Sequence, residues 1–391
     1  MGIVYRNINS LVLAQIFGTS VVIGYSLYGA LIGIMLAPSK SLMTLPVSLL
    51  IIGPAISAIP SALLMEKTSR KFGQIVGVLI GIVGTLLSIF SLYNSNFYLF
   101  CTSTIMIGIN NAFIQQYRFA IIEGISRNLS TKVISILLFG NIFSAYLGTV
   151  FIGYFKGLFG LKYIGSFTIL FIFLLFSLIS LCFYSSVTNL KKNNSIQDIR
   201  YHHPVNRKNL IPAMIIAALS YSVMTFIMVG TPVSMKLMHN MDVKEITFVV
   251  QAHITAMFLP SLCTGYLVSK LGNYKLVILG AFFLLMSAIV NLNGSSYNHY
   301  LISLILLGIG WNFSFICSTS ILTESYDYNN RFKVQAINDL IVFGLNALSA
   351  LLAGVTIFYF GWIVLNAISI CFISIIFILL TYMGRLSLLK K

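Results

Sequence analysis

Acidic side chains are scarce in this 391-residue sequence, which holds eight Asp and Glu against 24 Lys and Arg, and charged residues make up only 8% of it. That excludes a soluble domain of this length, for which about a quarter of the residues are charged. Its eight acids and five histidines are scattered, with no paired carboxylates and no His-acid dyad at short spacing, so a membrane-embedded enzyme is the weaker reading. Five cysteines, Cys101, Cys182, Cys263, Cys317 and Cys371, lie far apart inside apolar runs without any C-x-x-C spacing. They frame neither disulfides nor a metal site, and they read as small packing residues. No P-loop occurs, which argues against ATP-driven transport. No cofactor is expected.

What the sequence has in abundance is hydrocarbon: 58% of residues are hydrophobic and the mean hydropathy is +0.95. A bilayer core about 30 Å thick needs about 20 apolar residues per helix, and runs of that length fill the chain. They are Leu11 to Ala37, Leu45 to Met65, Phe72 to Tyr93, Phe97 to Ile122, Val133 to Phe155 and Tyr163 to Val187. A second set is Leu210 to Met235, Ile246 to Val268, Leu276 to Leu292, Tyr300 to Leu322, Val334 to Phe358 and Trp362 to Met383. These predict an all-α membrane protein of twelve spans. The first run is too long for a signal-peptide core and lacks a small-residue cleavage site, so it counts as a retained span.

The net charge of +16 would suit a nucleic-acid binder, but its distribution records orientation instead. With the N-terminus in the cytoplasm, nearly all basic residues fall on the cytoplasmic side, and only Lys40, Lys156, Lys162, Lys236 and Lys244 fall on the other. An even span count returns the C-terminus to the cytoplasm. High isoleucine, asparagine and lysine usage points to an AT-rich bacterial genome, hence an inner membrane. The expected partners are the lipid bilayer, a small-molecule solute and protons, with no nucleic acid, and the chain is expected to act as a monomer.

One long hydrophilic stretch, "NLKKNNSIQDIRYHHPVNRKN" from Asn189 to Asn209, divides the spans into two sets of six. The expected organisation is a first bundle over residues 1–188, a cytoplasmic linker over 189–209 and a second bundle over 210–391. His202 and His203 lie in the linker without further spaced ligands, which suits a solvated tether rather than a metal site. Landmarks recur between the halves at an offset of about 200 residues: Gly108 and Gly308, Glu123 and Glu324, Lys132-Val133 and Lys333-Val334, Pro60-Ser61 and Pro260-Ser261. The halves therefore read as parallel repeats.

With twelve spans, a central loop and this repeat, the whole chain resembles the major facilitator superfamily. That family's signature between spans two and three is roughly G-x-L-x-D-R-x-G-R-R. Here the same place reads "ALLMEKTSRK", with Glu66 for the acid, Lys67 for the first Arg, and Arg70-Lys71 as the basic pair. The second half keeps Gly265, Lys270 and Gly272 in "GYLVSKLG". The resemblance implies two pseudo-symmetric six-helix bundles working by alternating access, with spans one, four, seven and ten lining a cavity. Drug-exporting members often carry a Gly-Pro signature in span five; "GNIFSAYLGTVFIG" has no proline, which lowers the case for a drug:proton antiporter.

A charge in the hydrocarbon region costs at least about 2.5 kcal/mol, so each one needs a partner or a purpose. Asp339 lies about 9 Å along its helix from Lys333. Gln335, Asn338, Asp339 and Asn346 share one face at i, i+3, i+4 and i+11. The resemblance places this span beside the first half's signature loop, making Lys67, Arg70 or Lys71 the expected partners of Asp339 in a gating contact; proton carriage and substrate contact stay open. Arg118, in "NNAFIQQYRFAIIEG", either snorkels to the interface or, as the resemblance implies, faces an anionic group on the substrate. His253 either accepts a proton or stands neutral, bonded to a neighbouring helix.

Further cavity candidates are Gln15, Tyr25 and Tyr28 on span one, Asn111 and Gln115 on span four, Tyr221 and Thr225 on span seven, and Trp311 and Asn312 on span ten. Aromatics with a few amides suit an organic solute of moderate size. Glu66, Lys67, Arg70 and Glu123 join Asp339 and His253 as candidates for gating or proton coupling. The resulting expectation is a proton-coupled secondary transporter; an uncoupled facilitator and a transporter-like solute receptor are the alternatives.

Overall fold

In hydrocarbon every backbone N–H and C=O must bond within the protein, and a chain of long apolar runs meets that demand by coiling each run on itself. A computed structural model describes residues 2–39, 42, 45–155, 157–158, 163–185 and 207–388, and all regular structure among them is helical. Most of the linker, with His202 and His203, lies outside the described residues, as do Lys40, Lys156, Lys162, Lys390 and Lys391.

The first half holds α1 (Gly2–Leu36), α2 (Leu45–Lys67), α3 (Arg70–Tyr93), α4 (Phe97–Gln115), the short α5 (Tyr117–Ala120), α6 (Arg127–Phe139), α7 (Asn141–Tyr146) and α8 (Ile164–Phe183). The second half holds α9 (Arg207–Val233), α10 (Val243–Phe258), α11 (Ser261–Leu271), α12 (Asn273–Asn293), α13 (Tyr297–Ser325) and α14 (Arg331–Leu388). Among the described residues ten helices are long and apolar enough to cross a membrane, and the bent pair α10 and α11 adds an eleventh. The tenth, Arg331–Gly384, runs 54 residues, far beyond the ~20 one crossing needs, and breaks at Gly361, where φ is 81°. Only glycine adopts that left-handed backbone without strain, so two crossings meet there and the twelve expected spans are accounted for.

Three expected spans differ in detail. The first helix starts at Gly2 rather than near Leu11. Span five is not one rod: α6 ends at Phe139, α7 follows, and a π-helical turn covers Leu147–Phe151. Span eight bends by 40° where Pro260 breaks it, since proline donates no backbone hydrogen bond and its ring crowds the preceding turn. Asn312 of α13 meets the exposed backbone there, its Nδ2 donating to the Met257 carbonyl at 2.6 Å and to Ser261 Oγ at 2.7 Å.

The chain packs as two compact units. One comprises residues 1–126, 140–201 and 332–340; the other comprises 127–139, 202–331 and 341–391. Each unit thus combines most of one half of the sequence with a short segment from the fifth span of the other half. The repeat landmarks Gly108 and Gly308 occupy matching close approaches: a Cβ on Gly108 would stand 2.8 Å from the Leu50 carbonyl oxygen, and one on Gly308 would stand 2.8 Å from Met257 N.

Candidate functional site

The first unit gathers most of the buried charge. Helix α4 stops at Gln115, where the amide of Gln116 bonds back to the carbonyl of Phe113, three residues earlier. The polar run Asn110, Asn111, Gln115, Gln116 carries weak helix formers beside good ones, and the tightened turn redirects the α5 side chains. Arg118, 2% exposed, there forms an ion pair with Asp339 of the 332–340 segment. Asp339 Oδ1 also accepts from Asn338 Nδ2 at 2.9 Å, and its Oδ2 accepts from Gln116 Nε2 at 2.7 Å. A carboxylate shielded from water thus has three donors, which is what a buried ion pair needs to offset desolvation.

Arg118, on α5, is the partner of Asp339; the loop bases Lys67, Arg70 and Lys71 expected from sequence are not its ion-pair partners. Arg70 begins α3 and turns elsewhere: its Nε donates to Glu123 Oε1 at 2.5 Å and its Nη2 to Gln335 Oε1 at 2.8 Å. The Arg70 guanidinium also lies over the Phe332 ring, 4.6 Å from its centre, and Phe332 packs with Met65 and Phe113. Phe332, Gln335 and Asp339 fall at i, i+3 and i+7, one face of a helix. That face grips the first unit by an aromatic ring, an amide and a carboxylate in succession. Glu66 and Lys67 are exposed, outside this cluster, and Lys71 Nζ donates to the Cys182 carbonyl at 2.6 Å.

The second unit holds an aromatic cluster. Tyr221 of α9 meets Trp311 at 5.4 Å, Phe315 at 5.4 Å and Phe343 at 6.0 Å between ring centres, each edge to face, while Trp311 stacks on Phe315 at 5.1 Å. One turn beyond Tyr221, Thr225 Oγ1 donates to Asn346 Oδ1. His253 is wholly buried on α10, with Nδ1 2.8 Å from the Leu304 carbonyl. A carbonyl only accepts, so Nδ1 carries the proton there, and Nε2 meets no hydrogen-bonding partner among the described residues. Asn312 is committed to the α10 and α11 bend and also accepts from Thr264 Oγ1 at 2.9 Å.

The remaining candidates of the first half sit in packing contacts inside the first unit. Gln15 Nε2 donates to Asn141 Oδ1 at 3.1 Å, Tyr25 and Ser88 hydroxyls meet at 2.6 Å, and Tyr28 donates to the Thr149 carbonyl at 3.2 Å. Asn111 and Gln115 bond to each other at 3.3 Å. Sequence reasoning passed over Phe332 and Gln116 as site residues, and Phe315 and Phe343 as members of the aromatic cluster. The polar face of the 332–340 segment and the polar density before Arg118 were the signals pointing to them.

Among the described residues no cluster of three or more His, Cys, Asp or Glu is placed to hold a metal ion. Comparison with known proteins gives a consistent picture. The family described as Major Facilitator Superfamily matches residues 13–345. The riboflavin transporter RfnT of Brucella anthropi is 31% identical over 369 residues, covering 92% of this chain and 91% of its own. The uncharacterized MFS-type transporter YdeG of Bacillus subtilis is 27% identical, covering 91% of this chain and 86% of its own. Among solved structures, the human organic anion transporter MFSD10 superposes with a TM-score of 0.77 at 12% identity, over 96% of this chain and 99% of its own. The E. coli fucose:proton symporter FucP superposes at 0.72 and 14% identity, over 97% and 99%. At such identities the structural likeness concerns the fold.

Proposed function

Because this chain belongs to the Major Facilitator Superfamily and so is a membrane transporter of a small solute rather than an enzyme, we propose that it is a proton-coupled secondary transporter of a riboflavin-class heteroaromatic solute. The observation that carries the solute class is the aromatic cluster of Tyr221, Trp311, Phe315 and Phe343, flanked by the hydroxyl of Thr225 and the amide of Asn346. Flat heteroaromatic rings bind between aromatic faces, and sparse polar anchors orient an attached polyol. The 31% identity to a protein named as a riboflavin transporter supports the same class.

In this proposal Asp339 is the gate. Its ion pair with Arg118 holds a segment of the second half within the first unit, and protonating the carboxylate removes the charge that holds the guanidinium. Release of the 332–340 segment then accompanies the change of access. Because Arg118 is engaged by Asp339, its role here is in the gate rather than in attracting an anionic substrate. His253, bonded to the Leu304 carbonyl, braces α10 against α13. The charge asymmetry of the loops supports a bacterial inner-membrane protein with both termini in the cytoplasm.

Uptake of radiolabelled riboflavin into proteoliposomes, with and without an imposed proton gradient, tests this. Uptake above protein-free liposomes, competed by unlabelled riboflavin and accelerated by the gradient, is the expected result. Uptake no greater than that of empty liposomes rejects the solute class, and gradient-independent uptake rejects coupling in favour of a facilitator. Asp339→Asn is expected to abolish the acceleration by the gradient; a variant that keeps it removes Asp339 as the proton site.

A further inference from the structure

A groove of about 470 Å³ lies in the first unit between the start of α1 and the end of α8, lined by none of the residues of the charged and aromatic clusters described above. Its lining is graded. Along α1 it runs Arg6, Asn9, Ser10 and Leu13; α8 contributes Ile179 and Ser180 and, beside the end that meets Arg6, Phe183. The wall is left open: Leu13 is 46% exposed, Ile179 52% and Phe183 61%, on two helices that are both long and apolar enough to cross a membrane. Such exposure on a spanning segment meets acyl chains.

A second cation, Lys71, binds the end of α8 without lining the groove. Lys71 Nζ donates to the carbonyl of Cys182, next to Phe183, so the negative carbonyl end of α8 is offset by a positive charge. Arg6 Nη2 donates to Ser185 Oγ at 2.8 Å, which aims its guanidinium along the groove mouth and leaves further N–H groups for a ligand. Neither ion pair among the described residues involves Arg6 or Lys71, so no carboxylate among those residues pairs with either cation.

We infer that this groove is a binding site for an anionic phospholipid of the surrounding leaflet, with the phosphate at Arg6, the glycerol and ester oxygens at Asn9 and Ser10, and an acyl chain along Leu13 and Ile179. Along α1 the order of cation, polar side chain and hydrocarbon matches that of a phospholipid read from headgroup to tail. The positive-inside orientation puts this end at the cytoplasmic leaflet, where anionic lipid concentrates. A basic residue near that surface contributes about 1 kcal/mol to anionic lipid binding, equivalent to about a fivefold preference.

Native mass spectrometry of the delipidated full-length protein, resupplied with phosphatidylglycerol or phosphatidylcholine of matched chains, tests the assignment. The wild type is expected to retain phosphatidylglycerol about fivefold better. Arg6→Gln is expected to bring the two lipids level, and Ile179→Arg to lower retention of both by placing a charge in the apolar wall. Competition by free glycerol phosphate at the same concentration is expected to be absent, because the acyl wall contributes half of the site. Equal retention of both lipids by the wild type, or an unchanged preference in Arg6→Gln that elutes as a monodisperse peak, overturns the proposal. Full displacement by glycerol phosphate would reassign the groove to free phosphate esters. Arg6 lies at the exposed start of α1, so its replacement leaves the helix packing intact.

Discussion

Each unit takes in a short segment from the other half of the sequence, and the contacts at Asp339 and at Thr131 differ in chemistry. The first unit holds residues 332–340 with charge: Arg118 on Asp339, and Arg70 shared between Glu123 and Gln335. In the second unit, which takes in residues 127–139, the Thr131 hydroxyl meets Ser320 Oγ at 2.6 Å and Asn273 Oδ1 at 3.3 Å, and Asn273 reaches Glu324 at 3.2 Å. Glu123 and Glu324 are counterparts in the repeat; Glu123 accepts from Arg70, and Glu324 accepts from Asn273 and Ser320. A buried ion pair is all or nothing, since losing one partner strands the other, whereas a neutral hydrogen bond is exchanged for water at small cost. A change in the charge of Asp339 therefore acts directly on the first grip, while loss of the Thr131 hydroxyl removes only neutral hydrogen bonds.

That contrast predicts a graded series of variants. Arg118→Gln strands the Asp339 carboxylate in a buried site and is expected to cost about 3–5 kcal/mol, lowering the unfolding temperature in detergent and reducing uptake to background. Glu123→Ala removes one acceptor from Arg70 but leaves Gln335 in place, so the expected loss is smaller, about 1.5–3 kcal/mol, with uptake reduced but measurable. Thr131→Val in the second unit is expected to cost about 1 kcal/mol and to leave uptake within about twofold of the wild type. Thermal unfolding of the three side by side checks the order. Equal losses from Arg118→Gln and Thr131→Val would erase the difference between the two grips.

Much of the scaffold was legible beforehand. Hydropathy located the twelve spans, Pro60 and Pro260 marked equivalent helices, and Gly108 and Gly308 marked matched close approaches. Local backbone detail was less so: the break of span five before Asn141 has no proline to announce it, and the turn that ends α4 at Gln115 follows from no single residue. At the site, Asp339, Arg118 and Arg70 stood out because charge is rare among apolar runs. Their pairing did not. The signature loop led to Lys67, Arg70 or Lys71 as partners of Asp339, and Glu66 and Lys67 lie exposed instead. Trp311 and Tyr221 were chosen one by one as cavity residues, while their meeting with Phe315 and Phe343 depended on how α9, α13 and α14 pack.

Burying a segment in hydrocarbon is a property of its own composition, summed over about 20 neighbours, so the linear chain alone decided that this is a helical protein of many membrane crossings built from two similar halves. Which donor satisfies a buried acceptor is a property of distance, and Arg118 and Asp339 are 221 residues apart in the chain. Only the packing of helices brought those two groups within bonding reach, and the same packing left Arg6 and Lys71 without a carboxylate among the described residues.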